Sequence, residues 1–176
     1  MQSVKTTQGP AKLFIQLLLV LLCSFSTAAL ASDSLYEKLQ VTDLEGNSVD
    51  LSQYKGGMVL LNFWATWCPP CVKEMPSLQR LQQQFDPNEF RVVLINLGQQ
   101  ASTVNGFLEE QTFGFNLPVY LDDKGKAFTE LGIDGMPSSY LLNSEGYPIE
   151  VIKGSREWDH PGNIEAVEQL INRPKT

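Results

Sequence analysis

The chain has 176 residues, enough for one domain, and 43% of them are hydrophobic while 19% are charged. This balance is typical of a globular protein that buries a core, and it argues against intrinsic disorder. The net charge of -7 argues against a nucleic-acid partner, because an acidic surface is repelled by the phosphate backbone.

The first 31 residues have the organisation of a secretory signal. Lys5 and Lys12 precede an apolar run that begins at Leu13, and the segment ends on the small-residue pattern Ala29-Leu30-Ala31. A positive start, a short apolar run and an A-x-A ending together predict a signal peptide that is cleaved after Ala31.

Two other fates of this segment stay open. Residues 13–31 carry no charge and approach the roughly 20 residues of a spanning helix, so an uncleaved membrane anchor is the first alternative. Lipid attachment at Cys23 is the second, although Leu22 stands where a small residue usually precedes a lipidated cysteine. Each fate places residues 32–176 in the periplasm, either soluble after cleavage or tethered to the inner membrane.

The remainder of the chain alternates between strand and helix patterns. Gly46-Asn47 separates Lys38–Thr42 from Ser48–Leu51 and predicts an early hairpin. Met58–Trp64 and Phe90–Leu97 are nearly continuous apolar runs, typical of strands buried on both faces of a sheet. Further strands are predicted at Leu117–Leu121, Ser138–Leu142 and Ile149–Lys153, with a turn at residues 143–146 between the last two.

Helices are predicted at Cys68–Phe85, Ser102–Phe113, Lys126–Leu131 and Asn163–Asn172. Pro76 should kink the first of these, Ser102 should cap the second, and Gly132 should end the third. Strands that alternate with helices, followed by a terminal hairpin and helix, predict an α/β fold with a central mixed sheet flanked by helices.

Two cysteines lie where a buried strand meets a helix, in the run WATWCPPC at residues 64–71. The start of a helix offers unpaired N–H groups and the positive end of the dipole, which favour a thiolate at Cys68. Cys71 lies one turn further on, close enough to attack a mixed disulfide and release the partner. Pro69 suits the first turn because its missing N–H costs little there. The spacing therefore predicts a redox dithiol, with Cys68 as the nucleophile and Cys71 as the resolving cysteine.

A structural role for the two cysteines explains the sequence less well. A disulfide that closes so short a loop adds little stability, and a zinc site needs about four ligands. Beyond residue 31 the sequence has these two cysteines and one histidine, His160, which lies in a polar stretch and is expected on the surface. We predict no metal site and no cofactor, since neither a G-x-G-x-x-G nor a Walker sequence occurs.

These features resemble the thioredoxin superfamily and, more closely, its TlpA/ResA-like branch of exported disulfide reductases. The resemblance rests on WATWCPPC, on EMP at residues 74–76, on DLEGNSVDLSQYKG at residues 43–56 and on GMPSSYLLNSEG at residues 135–146. It covers about residues 35–172 and implies a thioredoxin-like fold with an N-terminal β-hairpin extension, in a domain of residues 32–176. It also implies exported disulfide-bearing proteins as partners, as in cytochrome c maturation, and a membrane-embedded thiol reductase as the electron donor.

The resemblance assigns further residues to the site. In this family the proline that matches Pro137 is cis and packs beside the cysteines, and the preceding residue, here Met136, forms part of the substrate ledge. Trp67, next to the nucleophile, is expected to be exposed in the substrate groove. Trp64 belongs either to that groove or to the core.

Two positions depart from the family. Thioredoxin has a buried aspartate where this chain has Asn62, and some relatives have a glutamate near the position of Gln99. Those carboxylates assist proton transfer from the resolving cysteine, whereas an amide acts neither as acid nor as base. Glu74, water or a substrate group could replace them, but Glu74 is expected on a solvated face of its helix. Resolution of mixed disulfides is therefore expected to be slower than in relatives that have the carboxylates.

Two prolines support the site and bear on the direction of electron flow. A thiolate at Cys68 normally accepts hydrogen bonds from the N–H groups that follow it, and Pro69 and Pro70 have none. A less stabilised thiolate destabilises the reduced form, which makes the couple more reducing. We therefore expect a potential nearer the roughly -270 mV of thioredoxin than the roughly -120 mV of a strong oxidase. The sequence predicts a protein-disulfide reductase, and we expect it to act as a monomer.

Two rival functions share the fold. A thiol peroxidase usually has threonine or serine three residues before its cysteine, and here Ala65 holds that position. A copper-binding chaperone could use the two thiolates as Cu(I) ligands, but carriers of similar fold add a histidine, which here would have to be His160.

Overall fold

The computed structural model describes residues 34–112 and 114–173. The predicted signal at residues 1–31, including Cys23, lies outside the described residues, as does Phe113 at the predicted end of a helix. Within the described ranges, no helix is both long and apolar enough to cross a lipid bilayer.

The described residues form one mixed sheet with helices on both faces. The strands are β1 (Val41–Thr42), β2 (Ser48–Val49), β3 (Met58–Trp64), β4 (Phe90–Leu97), β5 (Val119–Asp122), β6 (Ser138–Leu142) and β7 (Pro148–Lys153). The helices are α1 (Leu35–Lys38), α2 (Pro69–Gln82), α3 (Ala101–Glu109), α4 (Lys126–Glu130) and α5 (Pro161–Ile171), with a 3₁₀ helix at Leu51–Tyr54. The strand order is β2-β1-β5-β4-β3-β6-β7, which confirms the predicted fold class.

Strand β3 lies near the centre of the sheet and leads into the cysteines. It pairs parallel with β4 and antiparallel with β6, and both of its faces are buried, as its apolar run predicted. Leu60 and Trp64 pack into the core on the α2 side, while Leu61 and Phe63 pack into the core on the opposite face. Asn62 follows the same alternation as Leu60, so its amide points towards α2.

The early hairpin is confirmed, although its strands are shorter than predicted. Val41 pairs with Val49, and the Asp43 carboxylate closes the turn by accepting from the backbone N–H groups of Glu45 and Asn47. β1 also pairs with β5. The hairpin is therefore the edge of the main sheet, and the ends of its predicted strands belong to α1 and the 3₁₀ helix, which the sequence patterns missed.

Helix boundaries differ from the predictions at both kinds of end. α2 ends at Gln82, three residues before the predicted Phe85, and α3 ends at Glu109. α3 begins at Ala101 with Gln100 in the cap position, so Ser102 as a cap is wrong. α5 begins two residues early because Pro161 suits the first helical position and the ring of His160 accepts from the N–H of Gly162. Gly132, at a φ of 63°, follows α4 as predicted. α2 runs through Pro76, and the kink there stays a prediction.

Candidate active site

The two cysteines occupy the junction between β3 and α2. Cys68 is the cap residue of α2, and Pro69 and Pro70 are the first two helical residues, with both rings exposed. The sulfur atoms of Cys68 and Cys71 are bonded, with their Cα atoms 5.3 Å apart. Cys68 is 5% exposed and Cys71 is 1% exposed. The outer sulfur therefore lies at the positive end of a helix whose first two residues have no N–H group to offer it.

A neutral network fixes the loop that precedes Cys68. The Gln99 side-chain oxygen accepts from the backbone N–H of Thr66 at 2.8 Å and from the Asn96 amide at 3.0 Å. The Gln99 amide in turn donates to the Thr66 hydroxyl at 2.8 Å. Because all three side chains are uncharged, this Gln99 network can hold the loop in place but cannot accept a proton.

Glu74 is not on a solvated helix face, and that expectation is wrong. The residue is 2% exposed. Its Oε1 accepts from the Asn62 amide at 2.7 Å, and its Oε2 accepts from the backbone N–H of Arg156 at 3.0 Å and from the indole N–H of Trp158 at 3.1 Å. We call these four residues the Glu74 network. Cys71 and Glu74 are three residues apart on one helix, so their side chains lie on the same face, roughly 5–6 Å apart at Cβ.

The environment of Glu74 shifts its acidity. Burial raises the pKa of the Glu74 carboxyl, and hydrogen bonds from the backbone of Arg156 and from the side chains of Asn62, Trp158 and Ser155 oppose that rise without cancelling it. A carboxyl whose pKa is moved upwards is better matched to taking a proton from a thiol near neutral pH. The chain therefore has a carboxyl beside its inner cysteine, although Asn62 and Gln99, the two positions where the resemblance suggested one, are amides.

Asn62 lies between the Glu74 carboxyl and the neighbouring strand. Its amide nitrogen donates to Glu74 and also to the Ser139 hydroxyl at 2.9 Å. Its Oδ1 is buried and has no hydrogen-bond partner among the described residues. An orphaned buried acceptor costs about 1–3 kcal/mol, so the position of this amide requires an explanation.

The predicted substrate-facing residues divide into exposed and buried groups. Trp67 is 65% exposed, as expected, whereas Trp64 is fully buried. The centroid of the Trp64 ring lies 5.4 Å from that of Phe107. Trp64 therefore belongs to the core and not to a groove. The Met136–Pro137 peptide is cis, as the resemblance implied, and Met136 is half-buried against the core that contains both cysteines.

A zinc site or a copper-binding chaperone would need a cluster of metal ligands, which residues 34–112 and 114–173 do not provide. No group of three or more His, Cys, Asp and Glu side chains is placed to hold an ion there. His160 is exposed at the start of α5, as predicted, with Nδ1 accepting from a backbone N–H.

Sequence reasoning named Glu74 as a possible replacement for the missing carboxylates but placed it on the surface, and it missed the loop that covers it. One signal was available, because Cys71, Glu74 and Leu78 follow the helical spacing of the buried face of α2. The loop contacts had no signal, since Arg156 and Trp158 lie 82 and 84 residues after Glu74.

Comparison with known proteins gives a consistent result. A family model described as Redoxin matches residues 26–171. The thiol-disulfide oxidoreductase ResA of Bacillus subtilis (strain 168) is 31% identical over 156 residues, covering 82% of this chain and 86% of ResA. Among solved structures, StoA from Bacillus subtilis has a TM-score of 0.57 at 29% identity, covering 76% of this chain and 92% of StoA. A thiol:disulfide interchange protein from Bacteroides sp. has a TM-score of 0.63 at 28% identity, covering 78% of this chain and 88% of that protein.

Proposed function

The chain belongs to the Redoxin family and is a thiol-disulfide oxidoreductase of the TlpA/ResA-like branch, and we propose that it acts outside the cytoplasm to reduce disulfides in exported proteins. One observation supports the reducing direction above the others. Pro69 and Pro70 fill the first two positions of α2, so two N–H groups that would stabilise a Cys68 thiolate are missing. A less stabilised thiolate favours donation of electrons to a substrate.

In the first step, the Cys68 thiolate attacks one sulfur of the substrate disulfide. The substrate S–S bond breaks, a mixed disulfide forms between Cys68 and the substrate, and one substrate thiolate leaves and takes a proton. Cys68 suits this step because it is the outer of the two cysteines and lies at the positive end of the helix.

In the second step, Cys71 resolves the mixed disulfide. Its S–H bond breaks, the proton passes to Glu74, and the sulfur keeps the electron pair and attacks Sγ of Cys68. The Cys68–Cys71 disulfide forms and the second substrate thiolate leaves, so two electrons have moved from the dithiol to the substrate. Glu74 suits this role because it is buried one turn after Cys71, and burial raises its pKa towards the working range.

The exposed surface around the dithiol is the proposed substrate site. Trp67 offers a large exposed ring beside Cys68, and Met136 with the cis-linked Pro137 provides the ledge on which an extended substrate segment would lie. Rings and thioethers bind varied apolar side chains, which suits a reductase that acts on several unfolded exported proteins.

Location and electron supply complete the proposal. The pattern of residues 1–31 supports export, after cleavage or with the segment kept as an anchor, and residues 32–176 form the working domain. A membrane-embedded thiol reductase then returns two electrons to the Cys68–Cys71 disulfide. Apocytochrome c is one candidate substrate, and the domain is proposed to work as a monomer.

Trapping and a potential measurement test the function. In the full chain, Cys71→Ala should accumulate mixed disulfides with exported proteins through Cys68, whereas the matched variant Cys68→Ala should accumulate none. Equilibration of the wild-type chain with glutathione should give a potential near the roughly -270 mV of thioredoxin. A value above about -180 mV, the range of an isomerase, would contradict the reducing direction.

A further inference from the structure

The loop between β7 and α5 is bonded closely to the buried face of α2. The backbone N–H of Trp158 donates to the Ser77 hydroxyl at 3.1 Å, and that hydroxyl donates to the Glu74 carbonyl at 2.8 Å. The indole N–H of Trp158 then reaches the Glu74 carboxylate itself. Trp158 is buried, so its ring has no freedom to leave this contact without opening the loop.

The two carboxylate oxygens of Glu74 have different surroundings. Oε2 accepts from the backbone N–H of Arg156 and the indole N–H of Trp158, and neither of these donors can become an acceptor. The Ser155 side chain also hydrogen-bonds to the Glu74 carboxyl. Oε1 accepts from the Asn62 amide, whose other end, Oδ1, is the buried acceptor without a partner. If the Asn62 amide turns over, that Oδ1 can accept a hydrogen bond from a proton on Oε1.

We propose that Trp158 is a positioning residue for the thiol exchange: together with the Arg156 N–H it occupies Oε2, so that Oε1 is the oxygen that receives the Cys71 proton. This inference rests on the proposed function, in which Glu74 is the proton acceptor. The S–H bond of Cys71 breaks, an O–H bond forms at Oε1, and the electron pair stays on sulfur. The turn of the Asn62 amide supplies the acceptor that the new O–H group needs, because Oδ1 then takes the place of the nitrogen that now faces Glu74 and Ser139.

The side chains that β3 and β6 place against Glu74 are neutral, so the pH dependence of the Cys71 step can be assigned to Glu74 and Cys71. β3 and β6 present Asn62 and Ser139, which do not ionise. Lys73 is exposed on α2, and on the loop the exposed Arg156 places its guanidinium 5.7 Å from the Trp158 ring. Apart from these cations, the titratable group next to Glu74 along the buried face of α2 is Cys71.

Loss of the indole N–H should change the pKa of Glu74 in a known direction. Hydrogen bonds to the charged carboxylate lower its pKa, and Trp158 is one of those donors. Replacing the indole with a phenyl ring removes one charge-assisted hydrogen bond, so the pKa of Glu74 should rise further, on the order of one pH unit. The rate of the Cys71 step should then follow a pH profile shifted upwards by the same amount.

The experiment uses the reduced full chain mixed rapidly with Ellman's reagent at a series of pH values. The first phase reports attack by Cys68, and the second phase reports displacement by Cys71. Trp158→Phe should move the midpoint of the second phase up by about one pH unit, so that below the midpoint the step is about tenfold slower. Trp64→Phe is the matched control, because it removes a buried indole N–H that has no partner among the described residues; its midpoint should not move.

Glu74→Gln separates this inference from the function on which it rests. That variant should lose the pH dependence due to Glu74, and adding Trp158→Phe to it should shift nothing further. If Glu74→Gln alters the profile and Trp158→Phe does not, the positioning role is wrong and the proton acceptor stands. If Glu74→Gln keeps the wild-type profile, both are wrong. Should Trp158→Phe fail to fold, the benzothiophene analogue of tryptophan at position 158 keeps the shape of the indole without its N–H and tests the same shift.

Discussion

The two cysteines are flanked by two polar networks of different chemistry. On the Cys68 side, the Gln99 network joins Asn96, Gln99 and Thr66 through neutral groups in a half-buried setting. On the Cys71 side, the Glu74 network places a carboxyl in a fully buried setting, where Asn62, Arg156 and Trp158 are among its donors. Both networks link α2 or its leading loop to a neighbouring element, so both could serve simply to fix the geometry of the site.

The difference between them lies in what each contributes beyond geometry. Neutral amides and hydroxyls hold a loop without burying a charge, although Asn96 Oδ1 is a buried acceptor with no partner among the described residues. A buried carboxyl has a desolvation cost that a glutamine of the same shape would avoid. A network that retains the costly group next to Cys71 is what the proposed function requires, since Cys71 there needs a proton acceptor.

The largest expected effect comes from adding a second acid to the Glu74 network. Asn62→Asp replaces a donor 2.7 Å from Glu74 Oε1 with an acceptor, and two carboxylates at that distance cannot both ionise without strong repulsion. Burial already holds the pKa of Glu74 above its ordinary value, and the new charge raises it further. A raised folded-state pKa gives stability that is present at low pH and lost as the pH rises through it.

We therefore expect Asn62→Asp to lower the free energy of unfolding by about 3 kcal/mol at pH 8 and by much less at pH 5, where the two carboxyls share a proton. Urea unfolding of the oxidised full chain at the two pH values measures this, since the disulfide removes the cysteine titrations. Asn62→Leu is the control, with a loss that changes far less with pH. An Asn62→Asp loss that is equal at both pH values would contradict the buried pair.

The second prediction removes the acid. Glu74→Gln keeps the shape of the side chain but cannot accept a proton, so the Cys71 step at pH 7 should slow about 100-fold, the lower part of the range for general base catalysis. Attack by Cys68 on the same reagent should change little, because Glu74 lies on the Cys71 side. Rapid mixing separates the two phases, and equal slowing of both would show that the substitution disturbs the site as a whole.

The sequence predicted the central strands and the dithiol, but it did not predict that the Glu74 carboxyl is buried. β3, β4 and β6 have the predicted limits, because continuous apolar runs between turn residues leave few alternatives for a buried strand. The dithiol at the start of α2 followed from its spacing and from the strand before it. In contrast, Glu74 looked like an ordinary surface acid, since helical periodicity shows which face a residue shares but not what covers that face.

The loop that buries Glu74 comes from a distant part of the chain. The loop that carries Arg156 and Trp158 follows β7, and its position against α2 depends on the antiparallel pairing of β7 with β6 and of β6 with β3. No local pattern specifies a contact that is established through two strand pairings. The caps of α3 and α5 were missed for a simpler reason, because several polar residues stand near each helix start and only the backbone geometry selects one.

The smallest effect is expected in the neutral network. Gln99→Ala removes the acceptor for the Thr66 N–H and the Asn96 amide, but Gln99 is half-buried and water can replace part of the loss, so unfolding should become easier by about 1 kcal/mol. Both phases with Ellman's reagent should stay within about threefold of wild type and keep their pH midpoints, because no titrating group is lost. Gln99→Glu keeps the accepting oxygen and should be milder still.

The decisive combination is Glu74→Gln with Gln99→Glu. A carboxylate directed at Thr66, on the Cys68 side, should not restore the rate of the Cys71 step, and a restored rate would show that the two networks are interchangeable.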